Sequence, residues 1–467
     1  MTQTLGAPVL PVVRVAILAE RRLTEVALPA QLPLREILPA VQRLLRNADD
    51  DGDTDVTPQP LSLAPIGGAP FSLEASLDTV GVVDGDLLAL QPVPAGPAAP
   101  GIVEDIADAA ALFSSRQHSW GQSHIERGAR AGVIALLLAG TGVSVAHRLA
   151  TGSAAGLYVV SAVALVAVVG ALLLRARDRQ GAVAVSITAL IPIAAAFILA
   201  VPGDFGAAHL LLAAAGVTAW SLISMIIGKD ALAFFTATTV VGGGVLLAAA
   251  AATLWNPPPL TVGCALVVLA LLVTVQTAQL SALWARFPLP VIPAPGDPAP
   301  SAPALAVLTD LPHRVRVSAA HQTGFIAGAV VLSVLGSVTI VGRTETPSPW
   351  AWYLVAAVAL ASVLRARIWD TVACKAWLLA QPVLLLSTLL VVFGVQGRHT
   401  AALWTVVALA ALVLVWVAVA TNPRLAAPES YSLPMRRLVG FIASGIDASL
   451  LPVLAYLVGL FAWVLER

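Results

Sequence analysis

The chain has 467 residues, 58% of them hydrophobic and 11% charged, with acids and Lys plus Arg equal in number. Soluble domains average about 25% charged residues, so a wholly soluble protein is excluded. The two cysteines, Cys264 and Cys374, both lie in apolar runs; that excludes a disulfide framework or a Cys-ligated metal and leaves small buried apolar side chains.

The first 100 residues differ from the rest. They hold 12 acids against 6 Arg, about −6, and the remainder holds 14 acids against 20 Lys plus Arg, about +6. An acidic head argues against nucleic-acid binding, which needs a basic one. Val13, Val15 and Ile17 alternate with Arg14, Ala16 and Leu18, the pattern of a half-buried strand. A polar turn at 20–22 leads to a second strand through Val26 and Leu28. In 34–45, Leu34, Ile37, Leu38, Val41, Leu44 and Leu45 form one helical stripe, with Pro39 either in the first turn or at a kink. Residues 49–55, DDDGDTD, read as a solvated loop, and short strands are expected at LSLAPI and FSL. The VDGD turn, 83–86, precedes a last strand, LLALQP. This order resembles the β-grasp of ubiquitin-like domains. The head contains no lysine and runs on into 94–101, a Pro/Gly/Ala linker, so a conjugated modifier is excluded. Residues 94–128 are expected to be that linker plus a short amphipathic helix. No basic region and apolar core precede the head, so it is expected to stay in the cytoplasm.

From 129 onward the apolar runs are each long enough for a 30 Å hydrocarbon core. Eleven spans are expected, at 129–147, 155–174, 181–201, 207–227, 231–254, 260–281, 322–341, 348–364, 372–394, 400–420 and 438–464. With the head inside, fourteen Lys and Arg fall on inner loops and four on outer ones, which predicts a cytoplasmic N-terminus and a periplasmic C-terminus. Arg175, Arg177, Arg179, Arg365, Arg367, Arg436 and Arg437 are the candidate basic contacts of the cytoplasmic face. Residues 285–320 are Pro/Ala-rich and predicted to be an extended cytoplasmic loop. LRAR occurs at 174–177 and 364–367, and Pro192 and Pro382 share the same offset of 190, a faint repeat that implies two similarly oriented halves.

No catalytic or metal-binding pattern emerges, and no cofactor is expected. IGKD at 227–230 lacks the glycines of a phosphate loop. GGG at 242–244 lies mid-span, where it lets helices approach. Lys375, Gln276 and Gln279 sit near the inner ends of their spans, where Lys375 can snorkel. Asp447 is the candidate intramembrane polar residue; it marks either a carrier site or a helix-end acid pairing with Arg436 or Arg437.

A lysine-free ubiquitin-like head (1–93), a linker and an eleven-helix transmembrane domain (129–467) together resemble the EccD family, the multi-span membrane subunit of mycobacterial type VII (ESX) secretion systems. The resemblance implies an α-helical integral membrane protein with an N-terminal α+β head, located in the inner membrane and without catalytic residues. It implies a homodimer enclosing a lipid-facing cavity, with heads that contact the ATPase subunit EccC and EccE, and with EccB completing the set. The alternative is a secondary transporter with a regulatory head; the faint repeat favours it and the scarcity of paired intramembrane charge opposes it.

Overall fold

The computed structural model describes residues 11–19, 22–45, 61–93, 120–287, 305–342, 347–422 and 432–465. The expected turn at 20–22 (save Arg22), the acidic loop at 49–55 and the amphipathic helix in 94–128 lie outside them. The chain divides into two compact units, Met1–Ser119 and Trp120–Arg467.

The head contains β1 (Val12–Ala19), β2 (Arg22–Pro29), α1 (Leu34–Leu45), β3 (Leu61–Pro65) and β4 (Leu87–Pro92). Its sheet runs β2-β1-β4-β3. β1 is antiparallel to β2, with Val15 opposite Val26, and parallel to β4, with Ile17 opposite Leu88. β3 and β4 are antiparallel, with Leu63 opposite Leu90. The period-2 alternation of β1 puts Val15 and Ile17 on the face that α1 covers with Leu34, Ile37, Leu38 and Val41. Each such buried side chain is worth about 1.5–3 kcal/mol. The stripe stops short of its expected end, because Leu44 is exposed. Pro39 sits inside the helix. FSL is not a strand: Phe71 only donates its N–H to Leu63 O and accepts the Ser62 hydroxyl at 2.7 Å.

The VDGD turn closes the sheet in a definite way. Gly85 has φ +91, open to glycine and strained for other residues. Asp84 Oδ1 accepts the Arg14 N–H at 2.6 Å, and Asp86 Oδ2 accepts the Val83 N–H at 2.9 Å. Asp84 thus ties the turn to the first half of β1, and Asp86 closes the turn on itself.

In the second unit the helices are α2 (Gln122–Thr151), α3 (Ala155–Leu174), α4 (Arg179–Thr188), α5 (Leu190–Ala200), α6 (Ala207–Ile227), α7 (Leu232–Trp255), α8 (Pro259–Trp284), α9 (Leu305–Gly342), α10 (Pro349–Arg365), α11 (Val372–Val395), α12 (His399–Thr421), α13 (Leu433–Leu457) and α14 (Leu460–Leu465). Among the described residues eleven segments are long and apolar enough to cross a membrane, with α4 and α5 together forming one. The protein is therefore a multi-pass membrane protein. Each expected span coincides with one of these segments, but two expectations need correction. The third span is one segment, Arg179–Ala200, in which α4 and α5 meet at Ala189, three residues before Pro192, with φ −59 and ψ −23 still helical. The loop expected at 285–320 is helical from Leu305 onward, and Pro312 is carried inside α9 next to an Asp310–Arg314 pair. The last span ends at Leu457, where Gly459, at φ +79, separates it from α14.

α9 is the central helix. In its most apolar 18-residue stretch 78% of residues are buried, against 6% for α12. α9 packs on α7, α8 and α11, and small residues allow that closeness. A Cβ on Gly263 of α8 would lie 2.8 Å from Gly336 O, and one on Gly336 would lie 2.7 Å from Gly263 O. The GGG triplet divides its work: Gly242 faces Thr218 of α6, Gly244 faces Leu332 of α9, and Gly243 faces open space. Cys264 and Cys374 are buried free thiols in this packing.

Candidate functional site

Asp447 lies in the middle of α13, and Arg365 is the last residue of α10. Arg365 Nη2 donates to Asp447 Oδ1 at 2.7 Å; the arginine side chain is 17% exposed and the aspartate 39%. Asp447 thus has a partner that sequence reasoning did not name, from a helix far away in the chain. Arg437 is exposed, and the Arg436 side chain lies outside the described residues. Two further contacts stitch the same pair of helices: Tyr353 Oη to Ser449 Oγ at 2.8 Å, and an edge-on contact of Trp350 with Tyr456 at 5.9 Å. Leu450, Val453 and Leu454 of α13 join the apolar core that α10 and α8 share.

The other candidate arginines sit at the same end of the bundle. The two LRAR copies close α3 and α10, and their first arginines turn inward. Arg175 lies over Gly228 at the C-terminal end of α6 with Nη2 3.5 Å from Ser224 O, where a cation suits the helix dipole. Arg177 and Arg367 are exposed. Arg179 is exposed and reaches Asp230 at 3.6 Å. Arg130, from α2, grips Asp178 with Nε and Nη2 at 3.0 and 3.2 Å, while Asp178 caps α4 by accepting the Gly181 N–H at 2.8 Å. Gln276 and Gln279 are exposed near the end of α8.

Deeper in the bundle the polar side chains are also used on each other. Pro382 has no N–H to give Leu378 C=O, four residues back. The Ser362 hydroxyl of α10 supplies it instead, at 3.0 Å. Gln381 Nε2 donates to Ser333 Oγ of α9 at 3.2 Å, and His321 Nδ1 bonds Thr236 Oγ1 of α7 at 2.8 Å. Near Ala189, where α4 meets α5, the Trp220 indole N–H donates to Ser186 O at 2.9 Å. Sequence reasoning passed over Gln381, His321 and Ser362. Their signal was a lone polar residue inside an apolar run, in one case beside a proline. Among the described residues no three His, Cys, Asp or Glu are grouped to hold a metal ion. Chemically, the arrangement fastens helices to each other.

Residues 126–466 match the family described as EccD-like transmembrane domain, and residues 12–90 match WXG100 protein secretion system (Wss), protein YukD. The chain is 62% identical over 472 residues to ESX-3 secretion system protein EccD3 of Mycobacterium tuberculosis (strain ATCC 25618 / H37Rv), covering 99% of this chain and 100% of that one. It is 61% identical over 471 residues to the protein of the same name in Mycolicibacterium smegmatis, covering 98% and 99%. A solved structure of protomer 1 of the ESX-3 core complex is similar with a TM-score of 0.70 at 60% identity, covering 97% of this chain and 100% of that one. The ESX-5 inner membrane complex shares the fold at 20% identity, with a TM-score of 0.60 and coverage of 88% and 100%.

Proposed function

Because the chain belongs to the EccD family, we propose that it is a membrane subunit of a type VII secretion complex, built to hold other subunits together and not to catalyse a reaction. The observation that carries this reading is the end-to-end match to EccD3 proteins of the ESX-3 secretion system. The geometry supports a scaffold: several polar groups within the bundle form helix-to-helix ties, among them Arg365–Asp447 and Ser362–Leu378. In the full reading the protein lies in the inner membrane with its head in the cytoplasm and its C-terminus in the periplasm. The division is the one read from the sequence: a head in 1–93, a linker in 94–128 and the membrane body in 129–467. Two copies pair through their membrane bodies, the heads dock the ATPase EccC and EccE, and EccB joins them. Of the candidate arginines whose side chains are described, Arg175 and Arg365 turn inward and Arg177, Arg367 and Arg437 are exposed where partners could meet them.

Deleting residues 1–100 tests the division of labour. The membrane body should still insert and purify as a folded species, while recovery of the ATPase with it falls. Undiminished ATPase recovery would defeat the docking role.

A further inference from the structure

A small cavity of about 20 Å³ lies where α8, α9, α10 and α11 meet. Five polar side chains line it: Thr274 of α8, Ser333 of α9, Ser362 and Arg365 of α10, and Gln381 of α11. Gln381, Ser333 and Ser362 are 1%, 7% and 8% exposed, so bulk water does not serve them.

The donors and acceptors around the cavity do not balance within the protein. Gln381 Nε2 donates to Ser333 Oγ at 3.2 Å, but among the described residues Gln381 Oε1 has no hydrogen-bond partner. Turning the amide over would put its amino group in that position, and an amino group wants a partner as much as a carbonyl does. The Thr274 and Ser362 hydroxyls have given their protons to Ala270 O, at 2.8 Å, and to Leu378 O, at 3.0 Å; each keeps lone pairs that can accept. Ser333 Oγ accepts from the amide and retains a proton to donate. Arg365 gives Nη2 to Asp447 and has further N–H groups. A buried carbonyl left unmatched is costly and calls for an occupant.

Size and charge select that occupant. A site needs about 10–15 Å³ to admit a water, so this cavity takes one and is too small for a lipid tail or a larger solute. A cation would face the Arg365 guanidinium, and an anion would face the Gln381 carbonyl. Water can both give and take protons.

We infer that a single internal water molecule occupies this cavity. It donates to Gln381 Oε1 and to the hydroxyl oxygen of Thr274 or Ser362, and it accepts from Ser333 or Arg365, the roughly three hydrogen bonds that internal waters make. The site joins α8, α9, α10 and α11 at one point beside Pro382, and through Arg365 it adjoins the Asp447 tie to α13. It depends on the fold of the membrane body and not on the secretion role proposed above.

The test is hydroxyl-radical labelling of the full chain in detergent micelles. A brief X-ray pulse makes the radicals from water, and mass spectrometry reads the products. An internal water yields radicals that attack the side chains around it, whereas a side chain in dry packing stays unlabelled. Leu378 and Leu385 lie on the same helix and are 2% and 3% exposed, but of the two only Leu378 lines the cavity. Label on Leu378 with none on Leu385 is the expected result. No label on Leu378 would overturn the proposal. Equal label on both leucines would do so too, because bulk water would then be entering the bundle generally. Gln381→Met keeps the length of the side chain, removes the amide and should abolish the Leu378 label; a label that persists in this variant would count as a transient opening of the helix and would also overturn the proposal. The comparison of the two leucines in the unaltered chain decides the matter even where the variant fails to fold.

Discussion

Cutting the Arg365–Asp447 pair from its two sides should give unequal losses. Asp447→Leu leaves the guanidinium, 17% exposed, without its carboxylate; Arg365→Met keeps the aliphatic stem and leaves a carboxylate that is 39% exposed and can reach water. A fully buried charge stripped of its partner costs about 3–5 kcal/mol, and an exposed pair is worth about 0–1 kcal/mol. The partial exposure of the arginine places Asp447→Leu near 2–3 kcal/mol, while the more open aspartate places Arg365→Met near 1 kcal/mol. The two changes together should cost less than their sum by about 1–2 kcal/mol, since they remove one shared interaction. Asp447→Asn keeps an acceptor in place and should cost under about 1 kcal/mol. The assay is unfolding of the purified protein by SDS in mixed micelles, followed by tryptophan fluorescence. Greater damage from Arg365→Met than from Asp447→Leu, or strict additivity, would refute the tie. The functional counterpart uses Asp447→Asn in cells: a scaffold keeps secretion, whereas complete loss of secretion with an intact complex would mark the pair as part of a carrier.

Ser362→Ala should destabilise the membrane body by about 1–3 kcal/mol, because Leu378 C=O loses its replacement donor away from bulk water; the same SDS titration reads it, and an unchanged midpoint would mean that the carbonyl is served otherwise. Gly85→Val should cost the head about 1–2 kcal/mol, the penalty for a side chain in the left-handed region, visible as a lower unfolding midpoint of the head in the full chain, with Gly85→Asn damaging it less.

What could be read in advance was what depends on neighbours in the chain. Val15 and Ile17 announce β1 because alternation is a local property, and Asp84-Gly85-Asp86 announces its turn because the positive φ of Gly85 and the Asp86 carboxylate act within a few residues; the reach of Asp84 to Arg14 could not be foreseen. The spans are legible because a run of apolar side chains must be long enough for the bilayer wherever it packs. Asp447 was legible as an anomaly, but its partner was not: Arg436 and Arg437 are close in sequence, whereas Arg365 is brought to it from 82 residues away by the packing of α10 on α13. Pro192 warned of a donor missing in the third span, but the Trp220 indole that meets Ser186 O in the preceding turn comes from another helix and had no local signal. The stretch before 320 misled through its prolines, one of which α9 accommodates.

The central place of α9 bears on how the protein is made. It is the seventh crossing to leave the ribosome, and it is the element that fills the faces of α7 and α8. Until it arrives, Gly244 and Gly263 look onto lipid and not onto Leu332 and Gly336. The six earlier crossings are thus incomplete during synthesis: the first of them share a core and polar ties of their own, while the faces of α7 and α8 that α9 will cover stay open. The crossings that follow then assemble around α9 as it arrives. The near-repeat in the chain consequently does not make two self-sufficient halves: the first has a core of its own around Ala167, Val185 and Trp220, but α8 finds its main neighbour only when the second begins.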